Sequence, residues 1–217
     1  MPGVTDSESL AVIEMRLIHD IHRAAVSLLT QGAERPAAPS AELAELRDFV
    51  VAALRHHHES EDATLWPMLQ TADPAVAAGL AELTGEHHSL DVALDALAAT
   101  EIGAEGSAVT RQAGLAAAAT AVRDLVGQHL AHEESLTLPA MRSLTDAQWA
   151  EFSLAAMESA PAAVARLQIG FMEEVGDRED VARVLAGLPA PAAQALPALR
   201  QQARATLDAL RSGAGAA

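Results

Sequence analysis

Histidine and carboxylate side chains concentrate in residues 56–62, which read His-His-His-Glu-Ser-Glu-Asp. Residues four apart lie on the same face of an α-helix, so His57 would lie beside Glu61 and His58 beside Asp62. An imidazole next to a carboxylate is a donor set that suits Fe, Mn, Zn or Co. A solvated charged helix face would have the same composition. This segment alone therefore does not decide between a metal site and a surface.

The same pattern occurs again 72 residues later. The equivalent positions pair His57 with His129, Glu61 with Glu133, Asp62 with Glu134, and Pro67 with Pro139. His58 corresponds to Leu130, so His57 is the member of the triple histidine that is a histidine in both copies. The repeat therefore favours His57 as a ligand. It predicts two equivalent helices that face each other across a shared metal site.

Composition limits the function classes. The chain has 217 residues, a formal charge of −16, abundant Ala and Leu, and no cysteine. Cysteine-free chains have neither disulfides nor thiolate zinc sites, and so acidic a chain is unsuited to nucleic acid or anionic membranes. Neither a signal segment nor an apolar run of membrane-spanning length is apparent. We therefore expect a cytoplasmic protein with neither nucleic-acid nor membrane partners.

Apolar spacing predicts four long helices, at about residues 8–30, 41–69, 73–100 and 108–138. Gly- and Pro-containing loops separate them, so the simplest fold is all-α, an antiparallel up-down-up-down four-helix bundle. Helices two and four carry the repeat. Helices one and three would supply the histidines that face it: His19 or His22 on helix one, with His19 closer to the level of His57, and His87, which lies on an apolar stripe, on helix three.

The chain changes character after Pro139. A capping-box pattern at Thr145–Gln148 predicts a new helix. Glycines and prolines, among them Gly170 and Pro197, are expected to divide the rest into short helices. We therefore divide the chain into a bundle, residues 1–142, and a helical extension, residues 143–217, packed on the bundle. Residues 1–7 and 212–217 are expected to be flexible or disordered.

The order of motifs identifies a family resemblance. Ferritin-like di-iron bundles need Glu-x-x-His on two helices, and no glutamate in this chain has a histidine three residues later. The order His, His-x-x-x-Glu, His, His-x-x-x-Glu, with two trailing prolines, resembles the hemerythrin-like (HHE cation-binding) family of non-haem di-iron bundles over about residues 8–142. The Leu-Trp-Pro ending and the Leu144–Trp149 stretch look like bacterial members with a helical tail.

The resemblance implies a cofactor of two non-haem irons with an oxo or hydroxo bridge, and a ligand for them at six positions. These are His19, His57, Glu61, His87, His129 and Glu133. Glu61 and Glu133 would bridge the irons. Glu134 would replace Glu133 in members with a five-residue step, and His58 with Asp62 is the best rival pair. His22, His56, His88, His132 and Glu86 are expected to be outer partners of the ligands or solvated.

One position departs from the oxygen-carrying members, which have a second helix-three histidine where this chain has Asp91. Either Asp91 is a ligand or one iron keeps an open position. The resemblance implies a protein that binds or reacts with O₂ or a related oxidant as sensor, store or scavenger. The alternatives are a peroxide-decomposing enzyme and an iron- or nitric-oxide-responsive module.

Overall fold

A computed structural model describes residues 8–102 and 108–212, and the expected all-α class is confirmed. The bundle consists of α1 (Leu10–Ala33), α2 (Ser40–Ser60) with its continuation α3 (Trp66–Ala72), α4 (Ala77–Ala98) and α5 (Ala108–Met141). The predicted lead-in at residues 1–7 and, of the predicted disordered end at 212–217, residues 213–217 lie outside the described residues, whereas Ser212 is helical. In the described part of the chain, no helix is long and apolar enough to span a membrane.

Two apolar clusters show how the bundle helices run. The first includes Leu29, Leu46, Leu94 and Val122, and the second includes Val12, Leu69, Leu80 and Met141. Along α1 and α4 the chain passes from the second cluster to the first, whereas α2–α3 and α5 run the other way. The up-down-up-down arrangement is therefore confirmed. Both α1 and α4 pack against α2 and α5.

The second bundle helix contains one widened turn. Glu61–Leu65 is π-helical, and the Trp66 N–H bonds to the Glu61 carbonyl, five residues back. Pro67 follows, but the equivalent Pro139 lies in the regular helix α5, so proline alone does not dictate the widening. Single π turns occur frequently at functional sites, and this one begins at a carboxylate of the repeated motif.

Four helices follow the bundle within residues 143–212, α6 (Asp146–Ser159), α7 (Val164–Val175), α8 (Arg178–Ala186) and α9 (Ala190–Ser212). The capping box predicted at Thr145 and Gln148 is present. Trp149 of α6 belongs to the second apolar cluster, and its Nε1 donates a hydrogen bond to Glu14 at 2.6 Å. Helices α7 and α9 extend the first cluster. The boundary between residues 142 and 143 stays a prediction.

Two predicted breaks in this region are wrong. Gly170 lies inside α7 and Pro197 lies inside α9. A Cβ on Gly170 would lie 2.6 Å from the Ala203 Cβ, so this glycine allows α7 and α9 to approach closely and does not end a helix. Pro197 has no N–H to donate, so α9 lacks one backbone hydrogen bond there. The burial of Leu207 and Leu210 stabilises the same helix and offsets that loss.

Candidate metal centre

A layer of buried histidine and carboxylate side chains lies between the two apolar clusters. Among the residues that the structure describes, two groups could each hold a metal ion, with ligand atoms no more than 4.8 Å apart. The first donor group consists of His19, His57, Glu61 and Glu133, and the second of His58, His87 and His129. All six residues predicted as ligands therefore lie in this layer, together with His58.

The internal repeat favoured His57 over His58 as a ligand, but the structure places both histidines in the layer. The ring of His57 lies 5.2 Å from that of His19 on α1, whereas the ring of His58 stacks on His87 of α4 at 4.3 Å. Successive helical residues are about 100° apart around the axis. Because α2 packs between α1 and α4, His57 therefore faces α1 and His58 faces α4. Leu130, the equivalent in the other copy, belongs to the first apolar cluster.

Each of the two glutamates spans both donor groups. Glu61 places Oε1 3.4 Å from His57 Nε2 and Oε2 3.6 Å from His87 Nε2. Glu133 places Oε1 3.3 Å from His19 Nε2 and Oε2 3.5 Å from His129 Nε2. One oxygen of each carboxylate thus faces each group, which is the arrangement needed to bridge two ions.

Three outer carboxylates orient the imidazoles. The Nδ1 atoms of His19, His87 and His129 donate to carboxylate oxygens at 2.8–2.9 Å. The acceptors are Glu134, Asp62 and Glu86, respectively. A proton on Nδ1 leaves the Nε2 lone pair free for a metal, a common second interaction of metal-bound histidine.

The same contacts show the positions of Glu134 and Asp62, the two carboxylates that the sequence offered as alternative ligands. Glu134 accepts from His19 and from Arg23, and Asp62 accepts from His87 and Thr84. Both carboxylates are therefore outer partners, and the rival pair His58 with Asp62 is divided, because only its histidine faces the layer.

Asp91 does not enter the layer, although it lies four residues after His87. Its side chain is exposed, whereas Leu90 and Leu94 are buried. The interpretation of Asp91 as a ligand is therefore wrong. His58 supplies the third imidazole of the second donor group from α2, and the missing helix-three histidine was the sequence signal for such a replacement.

The donor atoms are unsatisfied without a metal. The Nε2 atoms of His19, His57, His58, His87 and His129, and both oxygens of Glu61 and Glu133, are buried and lack a hydrogen-bond partner among the described residues. A buried polar group left unpaired costs about 1–3 kcal/mol. Metal ions would satisfy these atoms, so the residues fit a metal cofactor.

Burial and neighbouring charges set the protonation of the metal-free layer. Burial lowers the pKa of His58 and, with adjacent histidines, that of His57. Burial also acts against His19, but the Glu133 and Glu134 carboxylates outweigh it and raise its pKa to about 9. Burial beside Glu133 raises the pKa of Glu61 well above its ordinary value. Metal binding at neutral pH must therefore displace a proton from His19, and the raised pKa of Glu61 lets a proton compete with a metal there up to a higher pH than usual.

His22 was expected to be an outer partner or solvated, yet it is 3% exposed. Its ring lies 4.9 Å from that of His57, and its Nε2 has no hydrogen-bond partner within the described ranges. Burial and the neighbouring His19 lower the pKa of His22 to about 3. The sequence signal was its position one helical turn after His19.

One family model matches the chain along nearly the whole length of the bundle. The family model described as "Hemerythrin HHE cation binding domain" matches residues 11–141. This span contains both donor groups and the three outer carboxylates. No curated protein and no solved structure matches the chain.

Proposed function

The chain belongs to the hemerythrin HHE cation-binding family, and from this premise we propose that it holds two irons and binds or reacts with O₂ or a related small oxidant. His19 and His57 would hold one iron, and His58, His87 and His129 the other. Glu61 and Glu133 would each bridge the pair. This assignment includes His58 in addition to the six residues expected from the sequence.

The observation that carries the proposal is the position of the two glutamates. Their four oxygens divide equally between the donor groups, and an assembly for a single ion would not need that division. Imidazole and carboxylate together favour Fe, Mn, Zn or Co, and hemerythrin-type bundles favour iron among these. Two adjacent irons supply one-electron redox steps, which suit a sensor, store or scavenger of oxidants.

Burial limits the size of the reactant. The most exposed of the seven donors is His57, at 8%, and an apolar cluster lies on either side of the layer. A molecule of two or three non-hydrogen atoms, such as O₂, peroxide or nitric oxide, could reach such a layer through ordinary fluctuations of packing. A large organic substrate could not.

Iron titration tests the two-ion assignment. Chelator-treated protein would be titrated anaerobically with ferrous iron, with elemental analysis and Mössbauer spectroscopy. We expect two irons per chain. Because Glu61 faces both groups, Glu61→Gln should weaken both irons together, whereas Glu59→Gln should weaken neither, since Glu59 is exposed. One iron per chain, or loss of a single iron from Glu61→Gln, would contradict the assignment.

A second candidate function, peroxide decomposition, is favoured by one contact. Glu86 accepts hydrogen bonds from His129 Nδ1 and from His132 Nδ1, both at 2.8 Å. The His132 side chain is 39% exposed. Glu86 therefore connects a buried donor of the second group to solvent, and Glu86 with His132 would hold protons at the edge of the layer for the proton-coupled O–O cleavage that peroxide decomposition requires.

Two measurements separate the candidates. A carrier or store would form an oxygenated state, after reduction and mixing with oxygen, that argon reverses. An enzyme would consume peroxide catalytically. His132→Gln should then slow peroxide consumption without changing the iron count, and Asp95→Asn serves as an exposed control on the neighbouring helix. Equal rates in parent and His132→Gln would remove the support that the Glu86 contact provides.

A further inference from the structure

The two donor groups differ in their number of imidazoles. The second group has three, from His58, His87 and His129, whereas the first has two, from His19 and His57. The two carboxylates of the first group, Glu61 and Glu133, each place their other oxygen beside a histidine of the second group, at 3.6 and 3.5 Å. If each group holds an iron, the first iron therefore has one protein ligand fewer and one more position to fill.

His22 lies beside the group that is short of an imidazole. It follows His19 by three residues on α1, so both side chains project from the same helix face. The His22 ring contacts that of His57 at 4.9 Å with an interplanar angle of 45°. Its Nε2 is nevertheless not one of the four atoms of the first group that all lie within 4.8 Å of one another. His22 is thus adjacent to the group without being part of it.

The described surroundings of His22 offer no other partner for its Nε2, which is buried and unpaired there. His19, by contrast, has Glu134 on its Nδ1 and Glu133 near its Nε2. An apolar residue of similar volume would fill the same space without burying an unsatisfied nitrogen. A purely space-filling role therefore does not account for a histidine at this position.

We propose that His22 is a displaceable third imidazole ligand of the first iron, occupying the position at which an exogenous small molecule binds. The inference rests on the proposed di-iron function and deepens it by assigning a residue that regulates access. A small movement of the His22 ring would bring Nε2 onto the ion, and the incoming molecule would compete with it. His58 completes the other iron permanently, so exogenous ligands are directed to the iron beside His22.

Azide binding tests this, since azide coordinates ferric iron at an exchangeable position and produces a charge-transfer band. The full-length di-ferric protein would be titrated with azide as parent, His22→Leu and the control His56→Leu. Removing a competitor that occupies the position nine-tenths of the time should tighten azide binding about tenfold. His56, whose Nε2 contacts Ser159 of α6, should not change it.

His22→Ala provides a second test through rescue. The substitution leaves a space of the size of an imidazole ring, so added free imidazole should restore the parent spectrum and weaken azide binding to the parent level. Iron counts should remain at two in both His22 variants. An iron count other than two in the parent protein would overturn the proposed function and this inference with it. Two irons with unchanged azide affinity in both variants would overturn this inference alone.

Discussion

Replacing His58 by leucine should stabilise the metal-free protein and weaken the metal-loaded one. His58 is 2% exposed, and both of its ring nitrogens are buried without a hydrogen-bond partner among the described residues. Unlike His19, His87 and His129, it has no outer carboxylate there. Without a metal, the imidazole is therefore a cost to folding that leucine, of similar volume, would remove.

The magnitude follows from the unpaired nitrogens. An unsatisfied buried polar group costs about 1–3 kcal/mol, so His58→Leu should raise the free energy of unfolding of the metal-free protein by that amount. For a chain of this length the corresponding rise in Tm is roughly 2–12 °C. Removing even an outer partner of a ligand costs about 10–100-fold in metal affinity. Loss of His58 itself should weaken the second iron by at least about 100-fold.

Thermal and urea unfolding of both forms would measure these effects. Parent, His58→Leu and His56→Leu would each be unfolded after chelator treatment and after anaerobic iron loading, with elemental analysis of the loaded samples. We expect His58→Leu to show a higher Tm without metal, a smaller gain in Tm on loading, and about one iron per chain. His56→Leu should behave like the parent in iron content, because His56 lies outside both donor groups.

Two results would refute the reasoning. If His58→Leu destabilised the metal-free protein by several kcal/mol, the imidazole would be contributing packing that leucine cannot reproduce, for example through its stacking on His87. If the variant still bound two irons with parental affinity, His58 would not be a ligand. The repeat would then have been right to favour His57 alone.

Three further predictions concern other parts of the molecule. Asp91→His should leave the iron count and the visible spectrum unchanged, because position 91 is exposed; a changed spectrum would show that α4 rotates on metal binding. Metal loading in weak buffer at pH 7 should release a proton from His19, whose metal-free pKa is about 9. Iron affinity should accordingly rise from neutral pH towards about pH 9, and a pH-independent affinity over that interval would contradict the protonation of His19. Trp149→Ala should lower the free energy of unfolding by about 3–5 kcal/mol, as measured by urea unfolding, since the indole is buried against the bundle. Its iron count should stay at two, and Leu154→Ala, at a 45% exposed position, is the matched control.

Local signals explain why much of the architecture was predictable. Apolar residues at helical spacing and Gly- and Pro-containing loops determine four long helices whatever their neighbours are. The capping box at Thr145 is equally local, since both of its hydrogen bonds join residues three apart. Gly170 shows where such reasoning fails. Its effect depends on Ala203 of another helix, a contact that the local sequence does not contain.

For the donor layer too, the sequence predicted some of the residues, and helix packing decided the others. Repetition of His-x-x-x-Glu predicted that His57, Glu61, His129 and Glu133 face one another, because a four-residue step places both members of each pair on one helix face. The repeat could not determine which other side chains belong to the site. His58 enters because α2 packs between α1 and α4, and Asp91 is excluded because α4 turns Leu90 and Leu94 inward.

The sequence by itself therefore determined the family, the helices and the kind of chemistry, since these depend on residue types at fixed spacing along one helix. Tertiary structure decided which of the neighbouring histidines face the layer, which carboxylates face both donor groups and which only orient an imidazole, and where His22 lies. Those outcomes depend on the rotation of each helix about its own axis, where one residue step is about 100°. Packing of four helices around a common core sets that rotation, and no single helix carries the information.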